Sequence, residues 1–240
     1  MLLKSREHPS LGTNPTFAQL LAEFLGSALL AAIVIGSGIM AQTLSPGDVG
    51  LQLLENAAAT AAGLFAIILI FGPISGAHFN PIVTMADVLR GGRSWKVATA
   101  YIPTQVVGCA TGAMLANLMF SRGAISISTH HRSTAAHLLA EVVATAGLIL
   151  VIFSLQASDR GGLAPQAVAS YIGAAYFFTS STSFANPAIA VGRMFSDTFA
   201  GIAPSSVPAF TGAELLGGLA GILLLAILYP TNEPLQGEPS

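Results

Sequence analysis

His78-Phe79-Asn80-Pro81-Ile82 and Phe184-Ala185-Asn186-Pro187-Ala188 are the two stretches that decide the fold. Each sets an asparagine before a proline at what would be the first helical position, a standard helix start. Each continues in helix-compatible residues, over 78–89 and 186–198. At about 1.5 Å per residue such a piece is roughly 15 Å long, half the ~30 Å hydrocarbon thickness of a bilayer. Short approaches rich in small residues, Ser75-Gly76-Ala77 and Ser180-Ser181-Thr182-Ser183, lead into them. Two half-length helices, one in each half of the chain, read as re-entrant segments.

The surroundings demand a membrane. Of 240 residues 53% are hydrophobic and only 8% are Asp, Glu, Lys or Arg, against roughly 25% charged residues in a soluble domain. Six apolar stretches have the length for a spanning helix: 17–41, 57–74, 95–120, 135–155, 165–181 and 207–228. The first follows some polar, turn-rich residues and is too long for a signal-peptide core, so it reads as a retained span. The net charge of −2 gives no basic field for nucleic acid. The lone Cys109 lies in an apolar stretch and reads as packing.

The chain divides into an N-terminal segment, 1–16, a channel domain, 17–230, and a solvated tail, 231–240. Inside the domain the first repeat is 17–120 and the second 135–230. Glu23 pairs with Glu141, Asn80 with Asn186, and Gln105 with Glu214, at offsets that differ only as loop lengths would make them. Three spans per repeat is odd, so the second copy enters the membrane inverted and the two half-helices meet near the midplane. Lys4, Arg6, Arg90, Arg93, Lys96 and Arg160 fall on one side; Arg122, Arg132 and Arg193 fall on the other. That bias places both termini in the cytoplasm.

Helix N-termini carry positive partial charge and unpaired N–H groups, and the Asn80 and Asn186 amides add donors at the same place. The approaches 76–79 and 182–185 are irregular backbone at membrane depth, which survives only when buried or lining water. Their carbonyls are expected along a hydrated path that passes neutral polar molecules and opposes cations. Glu23 and Glu141, buried in apolar spans, are expected to accept hydrogen bonds from the approach N–H groups; as ion-coupling groups they would instead make a secondary transporter. Gln105 and Glu214 serve similar buried contacts, and His78 either holds the bend or gates by protonation. His130, His131 and His137 read as a solvated outer loop, not a metal site. Asp87 and Asp197 sit late in their half-helices, with Arg90 and Arg193 as partners. Nothing resembles a nucleophile–base pair or phosphate loop, so neither enzyme activity nor a cofactor is expected. The small-residue spacings Gly108-x-x-x-Gly112 and Gly217-x-x-x-Gly221 permit close helix packing, within the protomer or between protomers.

The two motifs Ser75-Gly76-Ala77-His78-Phe79-Asn80-Pro81-Ile82-Val83-Thr84 and Asn186-Pro187-Ala188, with Glu23 and Glu141 in matching spans, resemble the aquaporin and glycerol-channel family. The resemblance covers roughly residues 17–229. It implies an all-α membrane fold of six transmembrane helices plus two re-entrant half-helices, and a homotetramer with one passive pore per protomer. The family's outer constriction then falls on Thr60, Ala174, Ser183 and Ile189. Ile189 stands where the family usually has an arginine, which implies a wider, uncharged constriction. It resembles a bacterial subgroup with that arginine displaced, which implies an inner-membrane channel for polyols, water or neutral arsenic and other metalloid hydroxides. Arg193, one helical turn on, either returns to the constriction or, more simply, pairs with Asp197 or extends to the outer interface. The rival readings are an ion-coupled transporter and a structural membrane protein with a closed pore.

Overall fold

The computed structural model describes residues 14–230. Lys4, Arg6 and the tail from 231 lie outside the described residues, as does most of the N-terminal segment. Among the described residues eight α-helices follow one another: α1 (Phe17–Leu44), α2 (Val49–Ser75), the half-helix α3 (Pro81–Leu89), α4 (Trp95–Met119), α5 (Ala135–Ala157), α6 (Ala164–Phe178), the half-helix α7 (Pro187–Arg193) and α8 (Val207–Leu228). Their starts are written in the sequence. Thr16, Asp48, Ser94 and Thr134 cap α1, α2, α4 and α5 by accepting a backbone N–H, and Asn80 and Asn186 do the same for the half-helices. A cap of this kind is worth about 1 kcal/mol.

The polarity of the bundle is that of a membrane protein. Leu21, Leu25 and Leu29 on α1, and Leu216, Leu219, Leu223 and Ile227 on α8, are exposed at helical spacing. The fully buried set includes Glu23, Gln105, Glu141 and Glu214. Apolar stripes outside and paired polar groups inside are what a lipid solvent selects. Helices α1, α2, α5 and α8 are each long and apolar enough to cross a bilayer on composition alone. Helix α4 is as long but carries Lys96, Gln105 and Asn117, and α6 has only 15 residues.

The repeat sets the packing. Helix α1 lies against α4 and α5 against α8, the equivalent pair in the second copy, while α2 meets α6 across the pseudo-symmetry. Both small-residue spacings serve these intraprotomer seams. A Cβ at Gly108 would stand 2.6 Å from Phe24 O, and one at Gly217 would stand 2.5 Å from Val142 O. No side chain fits there without moving the partner backbone.

Most boundaries fall within about three residues of expectation, and two differ by more. Helix α2 starts at Val49, not 57, because its polar first turns are satisfied against α1: Asn56 Nδ2 donates to Val34 O (2.9 Å) and Gln52 Nε2 to Ser45 O (2.8 Å). Helix α7 ends at Arg193, well short of 198, and the chain then runs irregularly beside the 121–133 loop. Ser126 N donates to Phe195 O and Ser128 N to Met194 O, bonds that compete with continuation of the helix.

Candidate functional site

The two half-helices meet tip to tip. Asn80 Nδ2 donates to Ala185 O at 2.7 Å, and Asn186 Nδ2 donates to Phe79 O at 2.8 Å. Each asparagine oxygen meanwhile caps its own helix, accepting from Ile82 N in α3 and from Ala188 N and Ile189 N in α7. A primary amide has two N–H bonds and one is used in each cross-link. Both Asn80 and Asn186 line one cavity of about 1050 Å³. Pro81, Ile82, Pro187 and Ala188 are buried behind them in the first turns of the half-helices.

The approaches take an unusual backbone for a stated reason. Gly76, Ala77 and Phe79 in the first, and Thr182, Ser183 and Ala185 in the second, have positive φ. In non-glycine residues this costs about 1–3 kcal/mol each. The alternation turns the N–H groups inward to a buried carboxylate. Glu23 accepts from His78 N (3.0 Å), Phe79 N (2.8 Å), Ser75 Oγ (2.6 Å) and Gln105 Nε2 (2.8 Å). Glu141 accepts from Phe184 N (2.9 Å) and Ala185 N (2.7 Å). Hydrogen bonds to charged acceptors contribute about 1.5–3 kcal/mol each, enough to offset the strain. In the second repeat Glu214 Oε1 also accepts from Asn186 N at 2.8 Å, while Gln105, its counterpart, donates to Thr84 Oγ1 at 2.9 Å. His78 lines the cavity with Nδ1 3.1 Å from Thr84 Oγ1 and its ring edge-on to Tyr101, contacts that hold the bend.

Thr60, Tyr176, Ser183, Phe184, Ile189 and Arg193 are among the residues lining the cavity. Three of the four expected constriction residues, Thr60, Ser183 and Ile189, therefore line this cavity. Ala174 does not. It lies on the exposed stripe of α6, while Pro165, Val168, Ala169, Ile172, Ala175 and Tyr176 form the buried one. Tyr176, two residues on, does line the cavity, its hydroxyl 3.2 Å from Thr60 Oγ1. The buried period of α6 was the available signal for it.

Arg193 corrects the simpler expectation. It is 2% exposed, so it does not reach outward to an interface. Nor does it pair with Asp197, which accepts from Thr129 N (2.9 Å) and Thr129 Oγ1 (3.1 Å) and faces His130 Nε2 at 3.8 Å. The Thr129 N–H holds that carboxyl below the usual carboxylate range. Arg193 Nε donates to Ala200 O, and its guanidinium stacks 3.5 Å over the Phe184 ring centroid. At the other end Asp87 pairs with Arg93 and not Arg90, which lies over the Phe153 ring. The histidines here go to separate partners, His131 to Ser205 Oγ and His137, in the first turn of α5, to Arg132 O.

Comparison with known proteins agrees with this geometry. The major intrinsic protein family model matches residues 10–184. The aquaglyceroporin AqpS of Rhizobium meliloti is 43% identical over 91% of this chain and 93% of its own length. A glycerol uptake facilitator protein of Pseudomonas aeruginosa is 31% identical over 95% of this chain and 96% of its own. Among solved structures, the aquaglyceroporin from Plasmodium falciparum superposes with a TM-score of 0.64 at 20% identity, covering 90% of this chain and 96% of that one, a likeness of fold. Crossed asparagines between inverted half-helices, matched over nearly the whole length, make this chain a member of the major intrinsic protein family, an integral multi-pass membrane channel for small solutes and not an enzyme.

Proposed function

We propose that the protein is a passive pore for small uncharged hydroxylated solutes, glycerol-like polyols foremost, with water and neutral metalloid hydroxides in the same size and polarity class. The observation that carries this reading is the crossed pair Asn80–Ala185 and Asn186–Phe79 beside a continuous cavity. Two amide donors next to a ladder of carbonyls suit a molecule that both accepts and donates hydrogen bonds, and interrupt a wire of waters. The names of the similar proteins point to the same class.

In this reading Thr60, Tyr176, Ser183 and Ile189 set the size limit. Arg193 supplies from one turn further along α7 the guanidinium that Ile189 cannot. Ser183 Oγ is buried without a hydrogen-bond partner among the described residues, which suits a group that waits for a solute. An ion-coupled transporter is disfavoured, because both carboxylate oxygens of Glu23 and of Glu141 already accept backbone N–H groups. The family resemblance supports a homotetramer. Arg90, Arg93, Lys96 and Arg160 at the end where α1 begins, against Arg122 and Arg132 at the other, support cytoplasmic termini in a bacterial inner membrane.

The test is Ile189→Arg in reconstituted vesicles. A second guanidinium at this wall is expected to slow glycerol entry about tenfold while slowing water less, since a narrower, charged gate costs the larger solute more. Equal rates for wild type and variant with every solute would remove Ile189 from the constriction.

A further inference from the structure

The seventh residue after each motif asparagine is charged, and the two signs are opposite: Asp87 follows Asn80, and Arg193 follows Asn186. Both line the cavity, one at each end. At the outer end the arginine faces the pore directly. At the inner end, where α1 begins, a carboxylate occupies the equivalent place, and a carboxylate at a pore mouth attracts cations. The chain answers it locally. Asp87 Oδ2 accepts from Arg93 N at 3.0 Å and lies 3.8 Å from Arg93 Nε. The backbone bond of Gly92 N to Asp87 O at 2.9 Å folds the 90–93 loop back onto the half-helix.

Arg93 is thereby laid across the inner mouth. Its side chain is only 10% exposed and lines the cavity beside Gly76 and His78. Nη2 donates to Ser75 O at 2.5 Å, and the guanidinium stands 5.4 Å over the Tyr101 ring. A Cβ at Gly76 would lie 2.7 Å from Nη2, so the guanidinium rests on the first residue of the approach. Asp159 lines the same end and adds a second carboxylate; Arg90 is directed to the Phe153 ring instead. Among the described residues, Arg93 is the single arginine or lysine lining this end.

We propose that Arg93 and Asp87 form a second charge filter at the inner mouth, with Arg93 covering the carboxylate and barring inorganic cations while neutral hydroxylated solutes pass. Arg93 is a specificity-determining residue for the pore, independent of Arg193. This rests on the neutral-solute reading above. It adds that without Arg93 the inner mouth is an acidic one, formed by Asp87 and Asp159.

The experiment compares sodium leak with glycerol flux in vesicles carrying wild type, Arg93→Gln, Arg93→Lys and the double variant Asp87→Asn/Arg93→Gln. The leak-to-glycerol ratio is expected to rise on the order of tenfold in Arg93→Gln, to stay near wild type in Arg93→Lys, and to return to wild type in the double variant. Should Arg93→Gln not assemble, Arg93→Met, which keeps much of the side-chain length without the charge, takes its place with the same expectation. A ratio unchanged in Arg93→Gln, or a rise that Asp87→Asn does not reverse, overturns the inner filter alone. Wild-type glycerol flux no faster than in empty vesicles would instead overturn the channel reading on which it rests.

Discussion

Glu23 and Glu141 each turn two consecutive backbone N–H groups away from the pore, and the facing carbonyls follow from that. A glutamine in either place can offer only one oxygen and sets an N–H donor against an N–H donor. A buried N–H left unpaired costs about 1–3 kcal/mol. Glu141→Gln is therefore expected to lower stability by about that amount and to slow glycerol flux per assembled protein. Thermal unfolding in detergent together with vesicle swelling checks it; an unchanged midpoint and unchanged flux would mean the carboxylate is not the organiser of the approach. These roles were legible in the sequence, since an ionisable residue survives an apolar span only with a purpose. Roles set by long-range folding were not. Ala174 and Tyr176 are two residues apart, and only the rotation of α6 tells which of them faces Thr60. Asp87 had Arg90 and Arg93 within reach, and the turn at Gly91 and Gly92 decided for Arg93.

At the scale of elements, the half-helices and the long helices could be read from the caps and apolar lengths. The first turns of α2 could not, because Gln52, Glu55 and Asn56 look like loop residues until their partners on α1 and the following turn are known. The end of α7 was equally hidden, since helix-compatible residues continue past Arg193 while the 121–133 loop takes their backbone bonds. The two small-residue spacings left open whether they serve the protomer or its neighbours. Contact of Gly108 with Phe24 O and of Gly217 with Val142 O assigns them to the α1–α4 and α5–α8 seams. Adding a methyl to such a seam costs about 1–3 kcal/mol of overpacking. Gly217→Ala is expected to lower the unfolding midpoint, while Gly212→Ala, whose added Cβ meets nothing within 4 Å, leaves it unchanged or slightly raised. Equal effects of the two substitutions would show that close approach at the seam is not what Gly217 provides.

For the molecule as a whole, two copies of one three-helix unit, inverted, place their half-helix tips against each other, and the buried Glu23, Gln105, Glu141 and Glu214 support that meeting. The arrangement offers a path. Stopped-flow light scattering of purified protein in vesicles under an inward glycerol gradient tests this most directly. The account predicts equilibration clearly faster than in empty vesicles, the same with or without a sodium or proton gradient, and ending at equal concentrations on both sides. Entry no faster than through bare lipid, or glycerol accumulated above the outside level when an ion gradient is imposed, would contradict it.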